Sequence, residues 1–156
     1  MGRILTASEV SLVLAQGDAH IAAASKLWRD CELEAGRDPH SFGEMTTWFV
    51  EHEEQIVGAV GLHGIDWIAR RARAATYISP PWRRKGLASQ AIRERNRMAF
   101  EQLNLNKIEV AVRADRLGTL ALLGKLNARQ EGICHASVYA CGRYFDSVQF
   151  YWAREV

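Results

Sequence analysis

The sequence is short of everything that builds a metal or disulfide scaffold. Its three cysteines, Cys31, Cys134 and Cys141, are an odd number, with no CxxC pair and no close Cys/His spacing of the kind zinc requires. No metal is expected, and the thiols read as reduced, as in a cytoplasmic compartment. Long apolar runs are missing as well. No segment approaches the roughly 20 apolar residues that cross a bilayer, and the opening MGRILTASEV has no apolar stretch of signal-peptide length. A soluble, cytoplasmic protein with no membrane partner is the expectation. Charge of one sign is also absent: 20 Lys and Arg face 18 Asp and Glu, for a net charge of +2. That balance lacks the lopsided surface that grips a nucleic-acid backbone, so nucleic acid is not an expected partner. There is no internal repeat, low-complexity tract or linker. With 156 residues, 48% of them hydrophobic, residues 1–156 read as one domain with a real core.

Against this even background the stretch PPWRRKGLASQAIRERNRMAF, residues 80–100, stands out. It sets Arg83, Arg84, Lys85 and then Gly86 at the mouth of a helical pattern. A helix start already presents unpaired N–H groups and the positive end of a dipole, so cations there are repelled unless an anion sits among them. The stretch is either built to hold phosphate or is a solvated basic turn whose glycine relieves strain. RNA binding fits poorly, because stacking platforms interleave aromatic rings with their cations and this loop does not.

Periodicity supplies the setting of the loop. VSLVLA (10–15) reads as a short strand, and the segment opened by Gly17 and Asp18 as a helix with Ile21, Ala24, Leu27, Trp28 and Cys31 at helical spacing. TTWFVEHEEQIVGAVGLHGID (46–66) reads as an antiparallel hairpin around its polar centre Glu51, His52, Glu53 and Glu54. Residues 73–80 form another strand, stopped at Pro80 and Pro81 because proline cannot donate to a ladder. The period then changes, placing Ala88, Ala91, Ile92, Met98, Ala99 and Leu103 on one helical face. NKIEVAVRA (106–114) follows as a strand and DRLGTLALLGKLNA (115–128) as a helix, with Asp115 as its N-cap and Leu120, Leu123 and Leu126 inward. The last segment, 136–156, reads as two strands around a turn at Cys141, Gly142 and Arg143. The order β-α-β-β-β-α-β-α-β-β describes one α/β sheet with helices on both faces.

With these residues in place, the chain resembles the GNAT superfamily of acyl-CoA N-acyltransferases, and within it the ribosomal-protein N-terminal acetyltransferase-like branch. The superfamily's pyrophosphate loop, Gln/Arg-x-x-Gly-x-Gly/Ala between strand four and the next helix, is similar to Arg83-Arg84-Lys85-Gly86-Leu87-Ala88 at every fixed position. The flanking segments QIVGAVGLHGID, Lys125-Leu126-Asn127-Ala128 with Glu131-Gly132, and Gly142-Arg143-Tyr144-Phe145-Asp146 echo the family too. The resemblance covers nearly the whole chain. It implies the GNAT fold, a mixed central sheet of about seven strands splayed between strands four and five. It implies acetyl-CoA as co-substrate, held by Arg83, Arg84, Lys85, Gly86, Leu87, Ala88 and Ser89, with the pantetheine arm along Thr76–Ser79. It implies that a backbone N–H of Tyr77 or Ile78 holds the thioester oxygen as charge develops. The partners implied are acetyl-CoA and an amine acceptor, and a homodimer is an open expectation.

The expected reaction is N-acetylation of a primary amine by direct attack on the thioester. The acceptor is a peptide N-terminus or, in the alternative, a small amine such as an amino sugar, a polyamine or an antibiotic. A catalytically silent acyl-CoA-binding module is the other alternative. The catalytic residues depart from the family. Relatives often carry a glutamate near the position of Arg73, whereas no carboxylate lies between Arg70 and Pro81. His63, at a strand end, is the side chain suited to accept a proton near neutral pH, although such a lone histidine is more often structural. Glu44, Asp66 and Glu109 are further candidates for the base. Relatives in this branch show Asn-x-x-Ser at the start of the next helix, where this chain has Arg116 and Thr119. The tyrosine acid of other branches aligns with Leu123. Thr119 is therefore the candidate to protonate the leaving thiolate, its ordinary alternative being a helix-start hydroxyl bonded to its own backbone.

Overall fold

The structure, a computed structural model, describes residues 9–37 and 45–154. Glu44 and most of its connector lie outside the described residues. The elements run β1 (Ser11–Leu14), α1 (Gly17–Glu34), β2 (Met45–His52), β3 (Gln55–Asp66), β4 (Arg71–Ile78), α2 (Leu87–Glu101), β5 (Lys107–Arg113), α3 (Leu117–Lys125), β6 (Arg129–Ala140) and β7 (Arg143–Ala153). This is the predicted order, in one seven-stranded sheet arranged β1-β2-β3-β4-β5-β7-β6. Every neighbouring pair is antiparallel except β4 and β5, which are parallel and joined through α2.

Strand alternation sorts the side chains between two faces. On one face α2 lays Leu87, Ala91 and Ala99 against Trp48, Val60, Leu62, Ala72, Ala74 and Ile78. Further along that face α3 packs Leu120 and Leu123 on Val112, Val148 and Phe150, and Trp152 touches both clusters. On the other face α1 sets Trp28 over Ala59 and Tyr77, with the indole N–H donating to Thr47 Oγ1 at 2.9 Å. At Gly61 a Cβ would lie 3.0 Å from the Trp28 ring and 2.3 Å from Met45 Sδ, so α1 packs closest to the sheet where there is no side chain.

Three local features differ from the sequence expectation. The Asp115 carboxylate does not cap α3; it pairs with Arg113 at 2.6 Å, and the α3 N-cap, Arg116, makes no side-chain cap bond. An ion pair to an arginine two residues away on a strand outcompetes a single capping bond. Strand β6 starts at Arg129, well before the aromatic segment, because β7 is long enough to pair with it from Tyr151 back to Arg143. Leu103 lies beyond the end of α2.

Candidate active site

The site is the place where two parallel strands stop pairing. β4 and β5 are in register only at Arg71↔Lys107, Ala72↔Ile108 and Arg73↔Glu109, while both strands run on, to Ile78 and Arg113. Beyond Arg73 they part, and the gap opens into a cavity of about 1490 Å³ that reaches both faces of the sheet. The free edge of β4 follows from its pleat. Ser79 N–H donates to Val57 O at 2.8 Å, so the backbone groups of Ser79 and Tyr77 face β3. Those of Ile78, Thr76 and Ala74 therefore face the gap, since backbone direction alternates along a strand. Of the two N–H groups that the resemblance singles out, alternation turns that of Ile78 into the gap.

The loop between β4 and α2 opens onto the same cavity. Gly86 is the α2 N-cap at φ 77°, with no side-chain cap bond, and no acidic residue occupies the first turn. A Cβ added there would meet no protein atom within 4 Å. The left-handed backbone thus favours glycine, and the open space in front of it faces no protein group. Arg84, at φ 61°, is also left-handed. Together they turn the N–H groups of the α2 start outward, the arrangement that binds phosphate. Leu87 is buried and anchors the helix, and Ala88 and Ser89 line the cavity.

The three cations of the loop divide their tasks. Arg83 is a clasp: both Nη groups pair with the Glu34 carboxylate, Nη2–Oε2 at 2.6 Å, and Nε donates to Ile78 O at 2.8 Å. Its guanidinium also lies over the Tyr77 ring, 5.5 Å from the centroid. The Arg83 partnership holds the Glu34 carboxyl below the usual range, and burial, then Glu34, raises the Tyr77 phenol. Lys85 sits over Trp82, 4.8 Å from its centroid, and is not among the cavity's lining residues. Arg84 lines the cavity and has no ion-pair partner among the described residues.

On the α1 face, His63, Arg73 and Glu109 are cross-strand neighbours in one row over β3, β4 and β5, and all three line the cavity. Burial, then the Arg73 charge, lowers the His63 pKa from its ordinary value, so the imidazole is neutral and able to accept a proton near pH 7. Glu109 is engaged by Lys107 at 3.3 Å and Arg71 at 3.8 Å. Asp66 instead caps its own turn, accepting from the N–H groups of Ile68 and Ala69, and does not line the cavity. Thr119 is exposed in the first turn of α3, on the α2/α3 face, and lines the cavity. His63 and Thr119 thus occupy opposite faces of the sheet and share one cavity through the gap.

Two cavity groups escaped the sequence reading. Glu32 is a carboxylate only 1% exposed, paired with Arg37. Arg95 is 2% exposed on the buried face of α2. Its position was legible as an anomaly, since a charged residue at 95 falls on the apolar stripe of Ala91, Ile92, Met98 and Ala99.

A model of the acetyltransferase (GNAT) family matches residues 15–128. The chain belongs to the GNAT acetyltransferase family. The GNAT match takes in the gap, the basic loop, α2 and α3, while β6 and β7, which supply the rest of the cavity wall, lie beyond it. The chain is 30% identical over 101 residues to "Uncharacterized N-acetyltransferase p20" of Bacillus licheniformis, covering 65% of this chain and 57% of that protein. It is 24% identical over 99 residues to "Putative ribosomal N-acetyltransferase YdaF" of Bacillus subtilis, covering 64% and 54%. The chain thus spans a little over half the length of these curated relatives. A solved structure of spermidine N-acetyltransferase from Vibrio cholerae in complex with CoA and spermine has TM-score 0.82 at 21% identity, over 94% of this chain and 96% of that one. Identity that low establishes the shared fold, with its mixed sheet and splayed strands.

Proposed function

We propose that the protein transfers an acetyl group from acetyl-CoA to a primary amine. The observation that carries this reading is an uncapped helix N-terminus with left-handed Gly86 at its mouth, opening directly into the gap between β4 and β5. The pyrophosphate fits the N–H groups of Gly86 to Ser89, with Arg84 as the nearby free cation. The pantetheine arm fits the unpaired edge of β4, whose backbone groups offer the hydrogen bonds a neighbouring strand would otherwise take. In this reading Ile78 N–H holds the thioester oxygen as negative charge develops on it. The amine attacks from the α1 face, where neutral His63 accepts its proton, directly or through water. A C–N bond forms, the C–S bond breaks with its electron pair going to sulfur, and Thr119 on the opposite face offers a hydrogen bond to the thiolate.

The acceptor we favour is a peptide N-terminus, in keeping with the relative whose name carries a ribosomal acetyltransferase. A polyamine is the second reading, favoured by the Vibrio cholerae structure with spermine. Against a polyamine stands the charge pattern. Glu32, Glu34, Glu109 and Glu131, the carboxylates lining the cavity among the described residues, are each ion-paired to an arginine or lysine of the chain. A polycation needs carboxylates free to receive it. Self-association belongs to the reading as well, since the related fold includes a dodecameric spermidine N-acetyltransferase. CoA release measured with peptides, spermidine and amino sugars tests the acceptor. Turnover of polyamines with none of any peptide overturns the peptide reading, and binding of acetyl-CoA without turnover of any amine makes the protein a silent binding module.

A further inference from the structure

Among the described residues Arg95 is a charge without a countercharge. Its guanidinium donates from Nη1 to Thr76 Oγ1 at 2.9 Å and to Ala75 O at 3.3 Å, and from Nε and Nη2 to Asn96 Oδ1 at 3.2 and 2.9 Å. It also lies 5.7 Å from the centre of the Trp152 ring. All these partners are neutral. Nη2 bonds only Asn96, so one of its two hydrogens has no acceptor among the described residues. Burial alone pulls the guanidinium pKa down to about 9, which still leaves it charged at neutral pH. A core that merely needed filling at this position would do better with leucine or methionine, because an unpaired buried cation is costly.

Its place is bracketed by the gap. α2 begins at the proposed phosphate site, and Arg95 stands about 12 Å further along the helix, eight residues from Leu87. The gap closes at Arg73↔Glu109 and opens at Ile78. Thr76 and Ala75, which Arg95 holds, are the middle of that bracket. In the reading above the thioester oxygen meets Ile78 N–H, two residues or about 7 Å along β4 from Thr76, so the sulfur comes within the field of the cation that Thr76 braces. Of the charged groups lining the cavity, His63, Arg73 and Glu109 face the α1 side, Arg116 and Lys125 stand at the two ends of α3, and the other carboxylates, Glu32, Glu34 and Glu131, are paired with Arg37, Arg83 and Lys107. No carboxylate faces Arg95 from β4, from β7 or from its own helix.

We propose that Arg95 is a positioning residue for the leaving group, a cation braced by Thr76 and Ala75 whose field favours the thiolate form of CoA in the gap. The inference rests on the acetyl-CoA reading above. As the C–S bond breaks, sulfur takes the electron pair and full negative charge, and the nearby fixed cation lowers the energy of that state. A thiolate stabilised in this way leaves without being protonated at the moment the bond breaks, and it takes its proton afterwards from water, with Thr119 offering a hydrogen bond on the opposite face.

The test uses the full chain, free CoA and the variants Arg95→Met and Arg95→Lys. CoA binding is measured by calorimetry, and the acidity of the bound thiol by the pH dependence of thiolate ultraviolet absorbance under saturation. The parent is expected to hold CoA with a thiol more acidic than in free solution. Arg95→Met is expected to return that acidity toward the free value and to lower kcat roughly 10- to 100-fold, with acetyl-CoA KM changed far less and melting temperature equal or higher. Arg95→Lys, which keeps the charge, is expected to recover part of the acidity. Thiol acidity unchanged between parent and Arg95→Met overturns the inference, as does a bound thiol no more acidic than free CoA in the parent, a result that needs no variant to fold. Failure of the parent to bind CoA at all overturns the acetyl-CoA reading itself.

Discussion

The loop before α2 and the third turn of α2 both put an arginine on the same cavity, with opposite electrostatics. Arg83 stands at the first fixed position of the phosphate motif, yet its charge is matched by Glu34 and its geometry ties α1 to the end of β4. Arg95 belongs to no motif, is buried, and has only neutral partners. A motif position therefore marks where the backbone must go, and says less about which side chain is free to act. The charge that remains uncompensated is the better guide to where the protein meets an anion.

The sharpest way to break the loop half of the comparison is Gly86→Asp. At φ 77° a side chain costs roughly 1–2 kcal/mol in backbone strain, and the new carboxylate faces the open space proposed for phosphate. Acetyl-CoA affinity is expected to fall about 100-fold or more. Calorimetry on the folded variant checks it, and unchanged affinity removes the loop from the binding site.

His63→Gln probes the α1 face. The fold lowers the histidine pKa, so the neutral form is favoured, and both stability and proton acceptance decline as pH falls from the ordinary value of about 6.5 through the lower folded one. A pH profile of kcat/KM in the parent is expected to lose rate along that acid limb. In the variant the rate drops roughly 10- to 100-fold and the limb disappears. A variant that keeps the parent's profile clears His63 of the base role.

Thr119→Ala addresses the opposite face with a smaller expected effect, about tenfold in turnover, with acetyl-CoA dissociation nearly unchanged. Equal turnover would mean that the thiolate leaves without help from Thr119.

Least affected should be Glu34→Gln, which releases Arg83. The folded carboxyl pKa is depressed, so its stabilisation is present above the ordinary glutamate value of about 4.3 and is lost as pH falls through the folded value. With the pair partly exposed, the loss at neutral pH is expected to be about 0.5 kcal/mol or less. Thermal melts at pH 7 and pH 3 check the sign: the parent's advantage over the variant should shrink at the lower pH. If acetyl-CoA KM shifts in the same variant, Arg83 reaches the ligand once freed.

Sequence by itself determined the order of the elements, the place of the phosphate loop and the family. These depend on short-range rules: a proline pair that ends β4, a glycine that permits a left-handed N-cap, and apolar residues that recur at the period of the element they build. Glu53 and Glu54, both left-handed at the β2–β3 turn, and Cys141 and Gly142 at the last one, sit where the polar breaks placed them. What only the tertiary structure decided is which charges are spent. Nothing in the chain's order says that Glu34 meets Arg83 across 49 positions, that Asp115 turns to Arg113 in place of the helix end, or that Arg95 reaches Thr76 beneath a strand that has lost its neighbour. Ion pairs are made by whatever groups the fold brings within a few ångströms, and that proximity is a property of packed elements. The gap stands between the two: the family resemblance implies strands that splay, but no local pattern in β4 or β5 says that their pairing stops after three residues, at Arg73↔Glu109.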